Sequence, residues 1–347
     1  MYAAIMAGGT GTRLWPKSRE KKPKQLLPFI SDKSLLEETV QDIKGLVPND
    51  KILIVTNKNY TKEIKKQLPA VKHFLLEPFK LGKTLAIGAT ALYLAKLDPQ
   101  AVMVLLWSDS YIGNKKEYRR ILKKAEGYAK KGQNLIIGIK PEYPATCYGY
   151  IKMGRQIDSE LYKLEEFQEK PDIKTANKFF SSDKFVWNPG ISLWRVDKLL
   201  ELYKEFEPET YKLLMKLEKF INTNQFSQKA QQYLKNVKKT EIEDTIYPKA
   251  KDLGVIPADI AWNDIGHWGA IKDIIKKEGN LIQAKHIGVD TENCYVHGSD
   301  RLIATIGLNN IVIIDTPDVL LIAHKDKTQK VKNITELLKE QNKMEYL

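Results

Sequence analysis

The 347 residues carry 56 Lys and Arg against 43 Asp and Glu, a formal net charge of +13, with 43% hydrophobic and 29% charged residues. That balance suits a globular chain large enough for two domains and favours anionic partners. It carries no basic stripe interleaved with aromatics, which argues against a nucleic-acid partner, and no apolar run of membrane-spanning length.

In chain order, YAAIMA (2–7) is a nearly continuous apolar run, the pattern of a central strand covered on both faces. SLLEETVQDI (34–43) has helical spacing, and Ser34 with Glu37 forms a capping-box pattern at its start. KILIVTN (51–57) predicts a strand, YTKEIKKQL (60–68) a helix and KHFLLEP (72–78) a third strand. TLAIGATALYLAKL (84–97) is an apolar helix. AVMVLLWSD (101–109), the most apolar strand, EYRRILKKAEGYAKK (117–131), a helix, and NLIIGIK (134–140), a strand, follow. Five strand–helix alternations predict an α/β fold with a doubly wound, mixed but mostly parallel sheet, whose chemistry gathers at the carboxyl ends of the strands. The less regular stretch 143–260 includes two helices broken near Pro208.

From residue 279 the texture changes to short β-prone runs between Gly, Asn and Asp. The expected division is therefore an α/β domain over 1–278 and a small all-β domain over 279–347, a few coils of a β-solenoid ending in a helix capped by Asn333 and Glu336. Cys147 and Cys294 stand far apart in no metal spacing and fit a reducing compartment. The N-terminus lacks the basic region and longer apolar run of a signal peptide, so a cytoplasmic protein is expected.

The most informative stretch is GGTGTR (8–13) at the end of the first strand. Backbone N–H groups of such a turn can cradle phosphate oxygens. Leu14 stands where a dinucleotide fingerprint needs glycine. The GKT at 82–84 has Glu77 where a Walker loop needs its first glycine. The reading left is a strand-end glycine loop with Arg13 and Lys24 close behind, either structural or phosphate-binding. Asp109 is either a strand-end cap or a ligand. Asp264, between two tryptophans, is either a turn former or a ligand.

GGTGTRLWPKSREKKPKQ (8–25) resembles the signature of the sugar-1-phosphate nucleotidyltransferases, and its RLWP and PKQ resemble the mannose-1-phosphate guanylyltransferase branch. The likeness recurs in order at EP (77–78), TCYGYI (146–151), FQEKPDIKTA (167–176), WNPGI (187–191), WNDIGHW (262–268) and GLNNIVIIDTPDVLLIA (307–323). The resemblance implies that 1–278 is a Rossmann-like catalytic domain and that the β-solenoid is a short left-handed β-helix. With these it implies transfer of a guanylyl group from GTP to mannose 1-phosphate with release of pyrophosphate, Mg²⁺ as cofactor, and a homodimer. It also implies a short form, since the chain stops before a further isomerase domain fits.

Carried onto this sequence, the resemblance puts the nucleotide on Gly8, Gly9, Gly11, Thr12, Arg13, Lys24, Glu77, Pro78 and Asp109. Arg13 takes the leaving phosphates, Lys24 the α-phosphate, and Glu77 the guanine amine. Asp109 and Asp264 are the metal ligands. The sugar phosphate falls to Gly149, Glu169, Lys170, Asn188 and Gly190. Three segments depart from the family pattern. Ser110 replaces a common histidine, Leu81–Thr84 replaces an Arg-Asn-Thr-Ala run beside the base, and EIED (241–244) replaces a Ser-Ile-Asp on the sugar side. These leave another hexose or a heptose phosphate, another base, or a non-catalytic nucleotide-sugar-binding protein as alternatives.

Overall fold

In the computed structural model, which describes residues 1–347 except 79, 80, 235, 236, 238, 277 and 299, the chain alternates between two units. The first unit is Met1–Gly8, Thr39–Ser108 and Ile112–Trp262. The second is Gly9–Glu38, Asp109–Tyr111 and Asn263–Leu347.

The first unit is built on β1 (Tyr2–Met6), β2 (Ile52–Asn57), β3 (His73–Glu77), β4 (Val102–Trp107), β6 (Leu135–Ile139), β7 (Gly149–Asp158), β8 (Leu161–Gln168), β9 (Phe185–Asn188), β10 (Ser192–Arg195) and β11 (Gly254–Ala258); β5 (Ser110–Ile112) stands outside their sheet. The order is β11-β8-β7-β9-β6-β10-β4-β1-β2-β3. The run β4-β1-β2-β3 is parallel, and β1, β2 and β4 are buried nearly throughout, as the apolar runs predict, while β3 at the sheet edge is buried only at Leu75 and Glu77.

The expectation of a mostly parallel sheet needs correction. Among the described residues, four of its strand pairings are parallel and six are antiparallel. The antiparallel members come from residues 149–195, where β7 and β8 form a hairpin and short β9 and β10 follow. Strands joined without a long crossover return antiparallel.

Helix Lys83–Leu97 is buried over residues 84–94 and packs on helices Val196–Phe206 and Pro208–Leu217, which are separated near Pro208 as the sequence predicts. Gly88 permits this approach, since a Cβ there would lie 3.0 Å from the Tyr203 ring. The Tyr203 hydroxyl donates to the Thr84 carbonyl at 2.6 Å.

The second unit holds β13 (Leu281–Gln283), β14 (His286–Val289), β15 (Tyr295–His297), β16 (Ile303–Ile306), β17 (Ile311–Asp315) and β18 (Leu320–His324). A short β12 (Trp262–Asp264) enters it. The left-handed β-helix expected here is not what forms. The strands make two separate sheets, β13-β15-β17-β18 and β14-β16, neither closed into a solenoid. The DTPDV stretch explains the end of the larger one: Thr316 N–H donates to the Val319 carbonyl at 2.9 Å, and this turn folds β18 back antiparallel on β17.

The unit's core gathers Leu14, Trp15, Phe29 and Leu35 with Ile265, Trp268, Ile271 and Tyr295. Ser34 and Glu37 form the expected reciprocal capping box, at 2.8 and 3.2 Å. Asn333 does not cap. The last helix runs Val331–Glu340 directly out of a 3₁₀ stretch (Lys325–Lys330), so Asn333 lies inside it. No helix among the described residues is long and apolar enough to cross a membrane.

Candidate active site

Within the second unit, four residues spread over 250 positions of sequence come together. Gly11 adopts a left-handed conformation, φ 67°, and leads into a 3₁₀ turn, Thr12–Leu14, that carries Arg13. A Cβ at Gly11 would lie 2.6 Å from Lys24 Cβ and 2.8 Å from Ser18 Oγ. Only glycine lets this loop lie against Lys24. Gly9 is different, because a Cβ there would touch nothing. Leu14 and Trp15 anchor the turn in the core, and the Trp268 indole N–H donates to the Trp15 carbonyl at 2.9 Å.

Lys24 begins the short 3₁₀ helix Lys24–Leu26 and is only 8% exposed. Its ammonium is ion-paired with the Asp109 carboxylate and lies 3.4 Å from the Ile265 carbonyl. The Ile265 N–H in turn donates to the Asp109 carbonyl at 3.1 Å. That bond extends the short β5–β12 sheet and sets Asp109 beside the chain at Asp264. Asp264 Oδ2 and the Arg13 guanidinium both lie against Gly266, at 2.6 and 3.4 Å from where its Cβ would stand. Asp109, Asp264, Arg13 and Lys24 thus share one place.

Among the described residues no group of three or more His, Cys, Asp or Glu could hold a metal ion. The two aspartates still fit Mg²⁺, which takes one or two carboxylates and completes its shell with waters and substrate phosphates. A cation already stands at Asp109 in the form of the Lys24 ammonium. His267, from the same WNDIGHW stretch, is held neutral. Burial and the Arg13 charge push its pKa down to about 4, and its Nδ1 lies 2.8 Å from Thr328 Oγ1.

Within the first unit, Glu77 ends β3 and is 8% exposed. A Cβ on Gly8 would lie 2.8 Å from its Oε2, and its Oε1 accepts from the Leu81 N–H at 3.4 Å. The Glu77 carboxylate thus closes the end of its own strand, and Pro78 follows at the bend. The sugar-side residues cluster elsewhere in this unit. Gly149 and Asn188 are partners across β7 and β9. A Cβ on Gly149 would lie 2.6 Å from Glu169 Oε2. Glu169 Oε1 is paired with the Lys170 ammonium at 2.8 Å. Lys170 itself has φ 41°, a strained backbone for a lysine and of the kind that collects at binding sites. Gly190, φ 78°, donates its N–H to Asn188 Oδ1 at 2.9 Å and accepts at its carbonyl from the Trp107 indole at 3.0 Å.

Sequence reasoning missed Trp107, which the structure places against Gly190. It also noted residues 81–84 and 241–244 only as separate departures, and assigned the first to the base. The structure joins them: the Lys83 ammonium lies 2.7 Å from Glu243 and 3.3 Å from Glu241. The only signal was charge, a lysine in one segment and carboxylates in the other.

Residues 2–280 match the family described as Nucleotidyl transferase, and residues 284–338 match the MannoseP isomerase/GMP-like beta-helix domain. A mannose-1-phosphate guanylyltransferase of Escherichia coli is 33% identical over 97% of this chain and 75% of its own length. The alginate biosynthesis protein AlgA of Pseudomonas syringae pv. tomato is 31% identical over 99% of this chain and 73% of its own. A crystal structure described as mannose-1-phosphate geranyltransferase from Thermus thermophilus superposes with a TM-score of 0.88 at 27% identity, covering 97% of this chain and 99% of that one. This chain belongs to the nucleotidyl transferase family, as a mannose-1-phosphate guanylyltransferase-like protein.

Proposed function

We propose that this protein transfers the guanylyl group of GTP to α-D-mannose 1-phosphate, releasing pyrophosphate. The observation that carries the reading is the convergence of Lys24, Asp109, Asp264 and Arg13, an arrangement that places two carboxylates and two cations together. The name of a relative at 33% identity, a mannose-1-phosphate guanylyltransferase, favours the same reading.

In this reading the sugar phosphate oxygen attacks the α-phosphorus and pyrophosphate leaves in line. Arg13 binds the leaving phosphates through its guanidinium fork, and Lys24 offsets the charge that builds on the α-phosphoryl oxygens. Asp109 and Asp264 hold Mg²⁺, which supplies Lewis-acid charge at the phosphates when bound. Before substrate arrives Lys24 is paired with Asp109, which holds its ammonium near the reacting position. The Gly8–Thr12 backbone lies along the triphosphate, and Glu77 with Pro78 faces the base, its carboxylate accepting from the guanine amine. An adenine would leave that carboxylate unmatched. Glu169 and Asn188 read the sugar hydroxyls, Lys170 meets the sugar's phosphate, and Gly149 and Gly190 allow close approach. The enzyme is taken to be cytoplasmic and homodimeric, with its catalytic domain over 1–278 and its β domain over 279–347.

The test is pyrophosphate release measured for GTP, ATP, UTP and dTTP against mannose, glucose and a heptose 1-phosphate. The expected result is Mg²⁺-dependent turnover with GTP and mannose 1-phosphate preferred. ATP outrunning GTP overturns the base, and a heptose phosphate outrunning mannose overturns the sugar. No turnover with any pair overturns the enzyme.

A further inference from the structure

The two segments that depart from the family pattern meet in the first unit. Lys83 opens the buried helix Lys83–Leu97, and its ammonium is gripped by Glu243 at 2.7 Å and Glu241 at 3.3 Å. The backbone joins them as well, with Thr84 N–H donating to the Thr240 carbonyl at 3.2 Å. Glu243 is 5% exposed, and its second carboxylate oxygen is buried with no hydrogen-bond partner among the described residues. Burial raises its carboxyl pKa while Lys83 pulls the other way. Burial likewise opposes the charge on Lys83, yet Glu243, Glu241 and the more distant Glu169 together hold its pKa above the ordinary lysine value.

Lys83 also looks toward the sugar side. Its ammonium lies 5.4 Å from the centre of the Trp107 ring, a cation–π distance. That indole donates to Gly190, which in turn donates to Asn188. The Glu169 carboxylate is exposed to the field of both Lys83 and Glu243. Without the lysine, Glu169 and Glu243 are two carboxylates repelling one another in a partly dry site.

We infer that Lys83, braced by Glu241 and Glu243, is a positioning residue for the sugar side of the site: it fixes the Trp107 indole that donates to Gly190, and so sets how tightly a hexose 1-phosphate is held. The inference rests on the sugar-side assignment in the proposed function and adds a residue that does not touch the substrate. Of the residues assigned to the nucleotide, Arg13 and Lys24 belong to the second unit, and none of the contacts named above is made to Glu77, which lies in the first. GTP affinity is therefore expected to be left alone.

The experiment measures mannose 1-phosphate and GTP affinities separately by calorimetry, beside steady-state kinetics, for wild type, K83R, K83M and K83M/E243Q. K83M strands a buried carboxylate and is expected to melt lower. K83M/E243Q removes that charge and regains thermal stability. Its mannose 1-phosphate affinity nevertheless falls about 10- to 100-fold, the usual scale for a misplaced binding group, with GTP affinity unchanged. K83R keeps the charge and restores the sugar-phosphate affinity toward wild type. A double variant that binds mannose 1-phosphate like wild type overturns the inference, and so does an equal loss for both ligands. A wild type that turns over substrate while the variants match it overturns this inference alone. A wild type that binds no hexose 1-phosphate overturns the sugar-side reading along with it.

Discussion

The charged cluster of the second unit and the glycine-lined strand ends of the first, proposed above to take the phosphates and the sugar, are built by different means. Arg13, Lys24, Asp109 and Asp264 come from three separate stretches, joined by the Lys24–Asp109 ion pair and by the short β5–β12 sheet with the Ile265–Asp109 hydrogen bond beside it. Gly149, Asn188 and Gly190 sit on or beside neighbouring strands, and glycines make the room. The first arrangement works by charge, which a single substitution removes. The second works by shape and polar contact, which a substitution distorts. Changes in the first are expected to act on kcat, and changes in the second on the sugar's KM.

The largest effect is expected at the aspartates. Asp109→Asn and Asp264→Asn should each lower kcat by about 10²- to 10³-fold, the scale for losing a preorganised charge at the transition state. Thermal melting should show the fold kept, and a Mg²⁺ titration should show weakened dependence on the metal. Near-normal turnover of the Asp264 variant at low Mg²⁺ returns that residue to the role of turn former. Lys24→Ala comes next, with kcat down by about 10²-fold and the sugar's KM little changed. A rise in KM alone would merge the two groups into one kind of site.

Gly190→Ala sharpens the contrast from the other side. The new Cβ meets the Trp107 indole at a left-handed backbone position. A stability loss of about 1–3 kcal/mol is expected, read by denaturant melts, together with a higher KM for mannose 1-phosphate. Equal losses in kcat and GTP affinity would break the division.

The smallest effect concerns acid. Burial and the nearby Lys17 charge push His297 down to about 4 from its ordinary 6.5. Between those values the unfolded chain binds the proton and the folded chain does not. Stability from this group is therefore full above pH 6.5 and is lost as pH falls toward 4, by at most about 1.4 kcal/mol per pH unit. His297→Asn should flatten the fall of Tm over that window, and an unchanged slope would remove His297 as its source.

Much of this was legible because it is local. The continuous apolar run of 2–7, the reciprocal Ser34–Glu37 cap and the helix break near Pro208 each depend on residues a few positions apart. The residues of the charged cluster stood out too, since cations after a glycine turn and an aspartate ending an apolar strand are chemically unusual. Their meeting did not, because it depends on register between distant segments. For the same reason Lys83 and Glu243, 160 positions apart, read as unrelated departures. The short runs after 279 showed strands but not their partners, and the turn at 316–319 decided that one sheet would end antiparallel rather than coil.

The loop that bears Arg13 and Lys24 is made early and completed late. Gly9–Glu38 shares a unit with Asn263–Leu347, and the Tyr346 carbonyl accepts from the Trp15 indole at 2.7 Å and from Arg19 at 2.6 Å. During synthesis these N-terminal residues wait for partners made more than two hundred residues later, roughly 10–50 s at the usual 5–20 residues per second. A chain released early on the ribosome carries the glycine loop without the floor it rests on. Activity is in this sense a report that translation ran through to the residues near 346.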